Sequence, residues 1–218
     1  MDLRGKRIVF LGDSITEGYG TSSVDNVYWK VLERNTGAHC FGYGIGGTRI
    51  ARQQKPESLA NDNWFGSRVD SMIPDADIVI VFGGINDFCT GEALLGTQAD
   101  RTEDTFCGAL HVLMEKLINR YPSATIIFMT PMHGGHLEDD ITYNSAGSPR
   151  FGNLQMYVDA VIEAAAYYSI PVLDMYRTGG IIPRIEVVRQ KFVPDGIHPN
   201  DAGQARIAQR LQGFLGSL

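Results

Sequence analysis

Residues Ile8–Gly20 read IVFLGDSITEGYG. Ile8 to Leu11 are all apolar, so nothing alternates along them, and a strand of that kind is covered on both faces. Gly12, Asp13 and Ser14 then end the strand in a tight turn. A turn can use serine simply for its local hydrogen bonds. It also uses one where a nucleophile must stand clear of the backbone.

Four further segments share the apolar, β-branched character of the first. With Arg7–Leu11, the expected strands are Ala38–Tyr43, Asp77–Phe82, Thr125–Met129 and Pro171–Asp174. Helical spacing separates them. Phe106, Leu110, Leu113 and Leu117 form one stripe, Leu154, Val158, Val161 and Ala165 a second, and Ile207, Leu211 and Phe214 a third. This alternation predicts a three-layer α/β/α sandwich around a central five-stranded parallel sheet. No repeat or linker divides the chain, so one domain over 1–218 is expected.

Composition narrows the function. The chain has 218 residues, 44% hydrophobic and 20% charged, with formal net charge −6. An acidic chain is a poor match for nucleic acid, which needs a basic patch. No apolar run approaches the roughly 20 residues that cross a bilayer, so no membrane partner is expected. The N-terminal apolar segment is too short for a signal peptide, which gives the expectation of a cytoplasmic protein. Cys40, Cys89 and Cys107 are odd in number and widely spaced, which suits a reducing compartment and suggests no metal or redox pairing.

In a doubly wound sheet, ligands bind beyond the C-terminal strand ends. Ser14 follows the first strand, GYGIGGT (Gly42–Thr48) the second, GGIND (Gly83–Asp87) the third, and Pro131, Met132 and His133 the fourth. One edge of the sheet therefore gathers a nucleophile, a glycine loop and an amide. A serine hydroxyl needs a base. In PDGIHPND, Asp195 stands three residues before His198, so the carboxylate can hold the imidazole while its other nitrogen faces Ser14. Acyl transfer also needs donors for the oxyanion. The Gly47 N–H, the Asn86 side-chain amide and the Ser14 N–H are the candidates.

The blocks GDSITEG, GYGIGGT, GGIND and DGIHP run in order from Gly12 to Pro199. They resemble those of GDSL-type esterases/lipases of the SGNH hydrolase superfamily. The resemblance implies a flavodoxin-like sheet and neither metal nor cofactor. It implies Ser14 as nucleophile, His198 as base, Asp195 as its orienter, and Ser14, Gly47 and Asn86 as oxyanion donors. Ile15 replaces the leucine of the family's name, and Gly42 stands where an asparagine is often found. Gly46 and Gly47 compete for the oxyanion role. Gly47, two before Arg49, is the expected donor.

Two other readings use the same chain. Gly42, Gly44 and Gly47 spell G-x-G-x-x-G with Asp62 beyond, as in a dinucleotide site, although Pro56 interrupts the helix that should follow. His133, His136, Glu138, Asp139 and Asp140 could ligate a metal, although surface histidines in a polar loop are the commoner explanation. His39 and His111 are expected at surfaces or satisfied core edges. Trp64 and His133 are candidate cleft residues, with Phe65 and His136 beside them. The connection Met132–Asn153 is rich in Gly, Asp, Asn, Ser and His, which suits hydroxylated ligands and is a poor cover for an alkyl chain. A small-molecule or carbohydrate ester, acetyl above all, is therefore the expected substrate. A longer-chain lipase or acyl-thioesterase is the alternative.

Overall fold

The structure, a computed structural model, describes residues 1–54, 63–138 and 152–218. Among these, the elements in chain order are β1 (Arg7–Gly12), α1 (Ser14–Glu17), α2 (Tyr28–Thr36), β2 (His39–Gly44), α3 (Phe65–Arg68), β3 (Ile78–Phe82), α4 (Ile85–Thr90) and α5 (Phe106–Arg120). Then come β4 (Thr125–Met129), α6 (Leu154–Tyr167), β5 (Val172–Leu173), α7 (Met175–Thr178), α8 (Glu186–Phe192) and α9 (Asp201–Ser217).

Strand β1 sits inside the sheet because both of its faces are apolar. Ile8 and Phe10 point into one core with Ile78, Ile80 and Phe82. Val9 and Leu11 point into the other with Val79 and Val81. The sheet is parallel throughout, in the order β2-β1-β3-β4-β5. Ile8 lies opposite Cys40 on one side and Ile78 on the other. The Phe106, Leu110, Leu113 and Leu117 stripe of α5 and the Leu154 and Val161 stripe of α6 bury against the Val9 face. Val31 and Leu32 of α2 and Ile207 and Leu211 of α9 bury against the Ile8 face. Phe214 is only half-buried, and Leu215 takes the inward place beside it.

Caps decide where the long helices begin. Thr105, Asn153 and Asn200 accept from the N–H of Gly108, Met156 and Gly203 respectively. Strand β2 runs one residue later than its apolar pattern suggests, through Gly44, because Gly44 packs on the α1 backbone. A Cβ there would stand 2.1 Å from the Glu17 nitrogen. Strand β5 pairs over Val172 and Leu173 only. Pro171 has no N–H to give, and Asp174 leaves the ladder to cap α7. Among the described residues no helix is long and apolar enough to cross a membrane. The three cysteines are free and buried.

Candidate active site

The Ser14 turn is built around its glycines. A side chain on Gly12 would meet Thr16 Oγ1 at 2.0 Å and the Phe82 carbonyl at 2.9 Å, so only glycine lets the chain turn there. Asp13 caps α1 through Oδ1, which accepts from the Ile15 N–H at 3.0 Å. Gly18, at φ 101°, ends the helix after one turn and donates its N–H to the Ser14 carbonyl. Ser14 is therefore the first residue of a one-turn helix at a strand end, 8% exposed.

His198 reaches it from the segment between α8 and α9. Its Nε2 lies 3.0 Å from Ser14 Oγ. Its Nδ1 lies 2.7 Å from Asp195 Oδ2. With Nδ1–H given to the carboxylate, Nε2 is left to accept the serine proton. Asp195 Oδ1 also accepts the N–H of Ile197 at 2.9 Å and of His198 at 2.7 Å. Partial burial works to raise the Asp195 carboxyl, but these two N–H groups and the imidazole outweigh it and hold it below the usual carboxylate range. Tyr19, 63% exposed, stands with its ring 4.5 Å from the His198 ring. The neighbouring Gly20, at φ 91°, lets the two segments approach. A Cβ there would lie 3.1 Å from the Pro199 carbonyl and 3.2 Å from His198 Cβ.

The candidate donors come from the ends of β2 and β3. Thr48 N–H and Thr48 Oγ1 both donate to the Ile45 carbonyl, closing a turn over Gly46 and Gly47. Gly47 has φ 73°, and a Cβ on it would meet nothing within 4 Å. Gly46 lies nearer Ser14: a Cβ there would be 3.8 Å from Ser14 Cβ and 2.8 Å from Glu17 Oε2. Asn86 stands in the first turn of α4, and its Nδ2 donates to the Thr48 carbonyl at 3.1 Å. The glycine loop and the amide are thus tied together. Asp87 anchors the loop from below, accepting the N–H of Ile50 at 3.0 Å and of Ala51 at 2.9 Å. Burial pushes its carboxyl up to about 6 against those two bonds.

Asp13 is 1% exposed, and its second oxygen, Oδ2, has no hydrogen-bond partner among the described residues. Burial raises its carboxyl to about 7. The Ile15 N–H and the Arg68 charge oppose the rise, and Asp87 adds to it. Asp13 and Ile15 on either side of Ser14, and Ile197 before His198, wall a small cavity closed by Phe82, Ile85 and Met132. Its volume is about 10 Å³, the space of one water-sized group.

His133 also lines this cavity. Its Nδ1 lies 3.2 Å from Glu138 Oε1, and its ring lies 3.9 Å from that of Tyr176. Glu138 also accepts the N–H of Gly134 and the Tyr176 hydroxyl, so His133 is braced by protein groups. His136 falls in the same 3-10 turn, Gly135–Glu138, while Asp139 and Asp140 lie outside the described residues. Among the described residues no group of three His, Cys, Asp or Glu is placed to hold a metal. Trp64 stands at the N-terminus of α3 against Gly66, and it is not among the residues that wall the cavity. The dinucleotide pattern finds another use. Gly42 makes room for the Trp29 ring, Gly44 for α1, and no helix follows Gly47 directly. Asp62 lies outside the described residues.

Two contributors give no sequence signal. Tyr19 follows from the turn of α1 and acts on His198, 179 residues away. Arg68 ends a four-residue helix and is buried beneath the glycine loop.

With this geometry stands the match to known proteins. A profile of the GDSL-like Lipase/Acylhydrolase family matches residues 10–206, and the chain belongs to that family. No curated protein matches the chain. Among solved structures, a Lactobacillus plantarum protein is 30% identical, with TM-score 0.83 and 98% of each chain covered. A candidate GDSL-like lipase from Bacteroides uniformis is 19% identical, with TM-score 0.70 over 98% of this chain and 97% of the other. The acetyl xylan esterase AlAXEase is 17% identical, with TM-score 0.62 over 95% and 98%. The five-stranded parallel sheet is the SGNH hydrolase fold, and the family is one of hydrolases acting on esters.

Proposed function

We propose that the chain is a serine esterase that removes short acyl groups, acetyl above all, from hydroxylated substrates such as O-acetylated carbohydrates. The observation that carries the reading is the continuous line Ser14 Oγ, His198 Nε2, His198 Nδ1, Asp195 Oδ2, at 3.0 and 2.7 Å. Ser14 Oγ attacks the acyl carbonyl while His198 Nε2 takes the hydroxyl proton. The negative charge that develops on the carbonyl oxygen is met by the N–H of Ser14 and Gly47 and by the Asn86 amide. Collapse of the intermediate breaks the ester C–O bond, and His198 returns the proton to the leaving alcohol. Water then attacks the acyl-serine, giving its proton to His198, and the acid and free Ser14 are released.

Two features support the short acyl group and the hydroxylated alcohol. Among the described residues, the cavity beside Asp13 and Ile15 is small, about 10 Å³, and offers no long channel to an alkyl group. The exposed Tyr19 ring beside His198 offers a flat face to a leaving sugar. The test is a series of p-nitrophenyl esters from acetate to palmitate, beside acetate release from acetylated xylan and glucose. kcat/KM is expected to be highest at acetate and to fall steeply beyond about four carbons. A rise toward octanoate, at about 0.8 kcal/mol per buried methylene, overturns the short-acyl reading in favour of a lipase or acyl-thioesterase. Fast acetate cleavage with no release from any sugar leaves the esterase and removes the carbohydrate.

A further inference from the structure

Arg68 is only 6% exposed. Its Nε donates to the Asn63 carbonyl at 2.9 Å. One terminal nitrogen donates to the Tyr43 carbonyl at 2.6 Å. The other donates to the Gly12 carbonyl and to Thr48 Oγ1, both at 3.0 Å. None of these acceptors is a carboxylate. The charge of Asp13 acts on it, but among the described residues Asp13 accepts only from the Ile15 N–H and its Oδ2 has no partner. A guanidinium buried among neutral acceptors is a costly way to hold a fold together, so its placement calls for a reason.

Its acceptors supply one. Gly12 is the hinge of the Ser14 turn. Tyr43 leads into the glycine loop, and Thr48 closes that loop on Ile45. The Thr48 carbonyl in turn receives the Asn86 amide. One planar fork therefore touches the Ser14 turn and the Gly47 loop directly, and reaches Asn86 through Thr48. We infer that Arg68 is the positioning residue of the oxyanion hole, fixing the Ser14, Gly47 and Asn86 donors in register from beneath. The inference rests on the reading of those three groups as oxyanion donors. Donors of this kind act only when held near 2.7–3.1 Å from the developing oxyanion, and small displacements are expensive in rate. Lysine carries the same charge at a single flexible point and cannot reach the four spread acceptors of the planar fork.

The experiment compares wild type, Arg68→Lys, Arg68→Gln, Asn86→Ala and the double variant Arg68→Gln/Asn86→Ala. p-Nitrophenyl acetate turnover is measured with amide hydrogen exchange. Arg68→Lys keeps the charge near Asp13 and loses only the fork, so it serves if the glutamine variant does not fold. Both Arg68 variants are expected to lose roughly 10²-fold in kcat, with KM within about threefold. The double variant is expected to fall less than about tenfold below Asn86→Ala, since a misplaced hole has little left to lose. Exchange is expected to quicken at residues 45–49, with β3 and α5 still protected. A kcat within threefold of wild type, losses that multiply in the double variant, or unchanged exchange at 45–49 overturns the inference. So does quickened exchange across the whole sheet, which marks a general stabiliser. An inactive wild type would instead count against the esterase reading, and the exchange pattern would still decide the role of Arg68.

Discussion

Asp13→Asn isolates the buried carboxyl next to Ser14. The change is isosteric, and the retained side-chain oxygen can still accept the Ile15 N–H. Wild-type Asp13 has its carboxyl raised by burial from the ordinary 3.8 to about 7. Below the ordinary value both folded and unfolded chains hold the proton, and the contribution to stability is whole. As pH rises toward 7, the unfolded chain ionises freely while the folded chain must either keep the proton or bury a charge, so stability drains away. At about 1.4 kcal/mol per pH unit, that span sets a ceiling of about 4 kcal/mol. Asp87, raised to about 6, drains stability in the same direction in both proteins. Asparagine does not titrate. Asp13→Asn should therefore gain on wild type as pH rises, whatever fixed cost its new N–H groups bring. Urea unfolding of both proteins at about pH 5 and pH 8 measures this. The stability difference should move in the variant's favour by at least about 1 kcal/mol between the two pH values. An identical difference at both would refute the argument, as would a variant that loses ground at the higher pH.

Asn86→Ala should lower kcat by roughly 10²–10³-fold with little change in KM, since the amide acts on the developing oxyanion. A change confined to KM would reassign it to substrate binding. Asp195→Asn should cost on the order of 10⁴-fold in kcat, because the imidazole loses the partner that fixes its tautomer. Retention of a tenth of wild-type turnover would remove Asp195 from the relay.

The parts of the fold that could be read in advance are those where local pattern and burial agree. Ile78–Phe82 is apolar at every position because it lies between two strands and under two helical layers, so β3 could hardly be anything else. The stripes of α5 and α6 are legible for the same reason. Asp195 and His198 are legible because three residues on one turn suffice to join them. Partnerships across long sequence separations are not. His111 is buried, with Nδ1 on the Tyr168 hydroxyl and Nε2 on Gln98, partners that no local pattern announces. Helix α2 escapes a stripe reading because a single turn of apolar residues, Tyr28 with Val31 and Leu32, does its packing. Arg68 looks like any helix-ending cation, and only the convergence of strand ends above it explains its burial. Trp64 precedes the first turn of α3 and packs on Gly66, a contact that no local pattern announces.

The central claim is that Ser14 is the nucleophile, and covalent capture tests it most directly. The wild-type chain is treated with a fluorophosphonate, digested and analysed by mass spectrometry, with Ser14→Ala in parallel. One phosphonyl group is expected, on the Ser14 peptide, together with loss of p-nitrophenyl acetate hydrolysis. Ser14→Ala should take no adduct and show a kcat at least roughly 10⁴-fold lower. A modification on any other residue, or more than a tenth of the activity retained by Ser14→Ala, would contradict it.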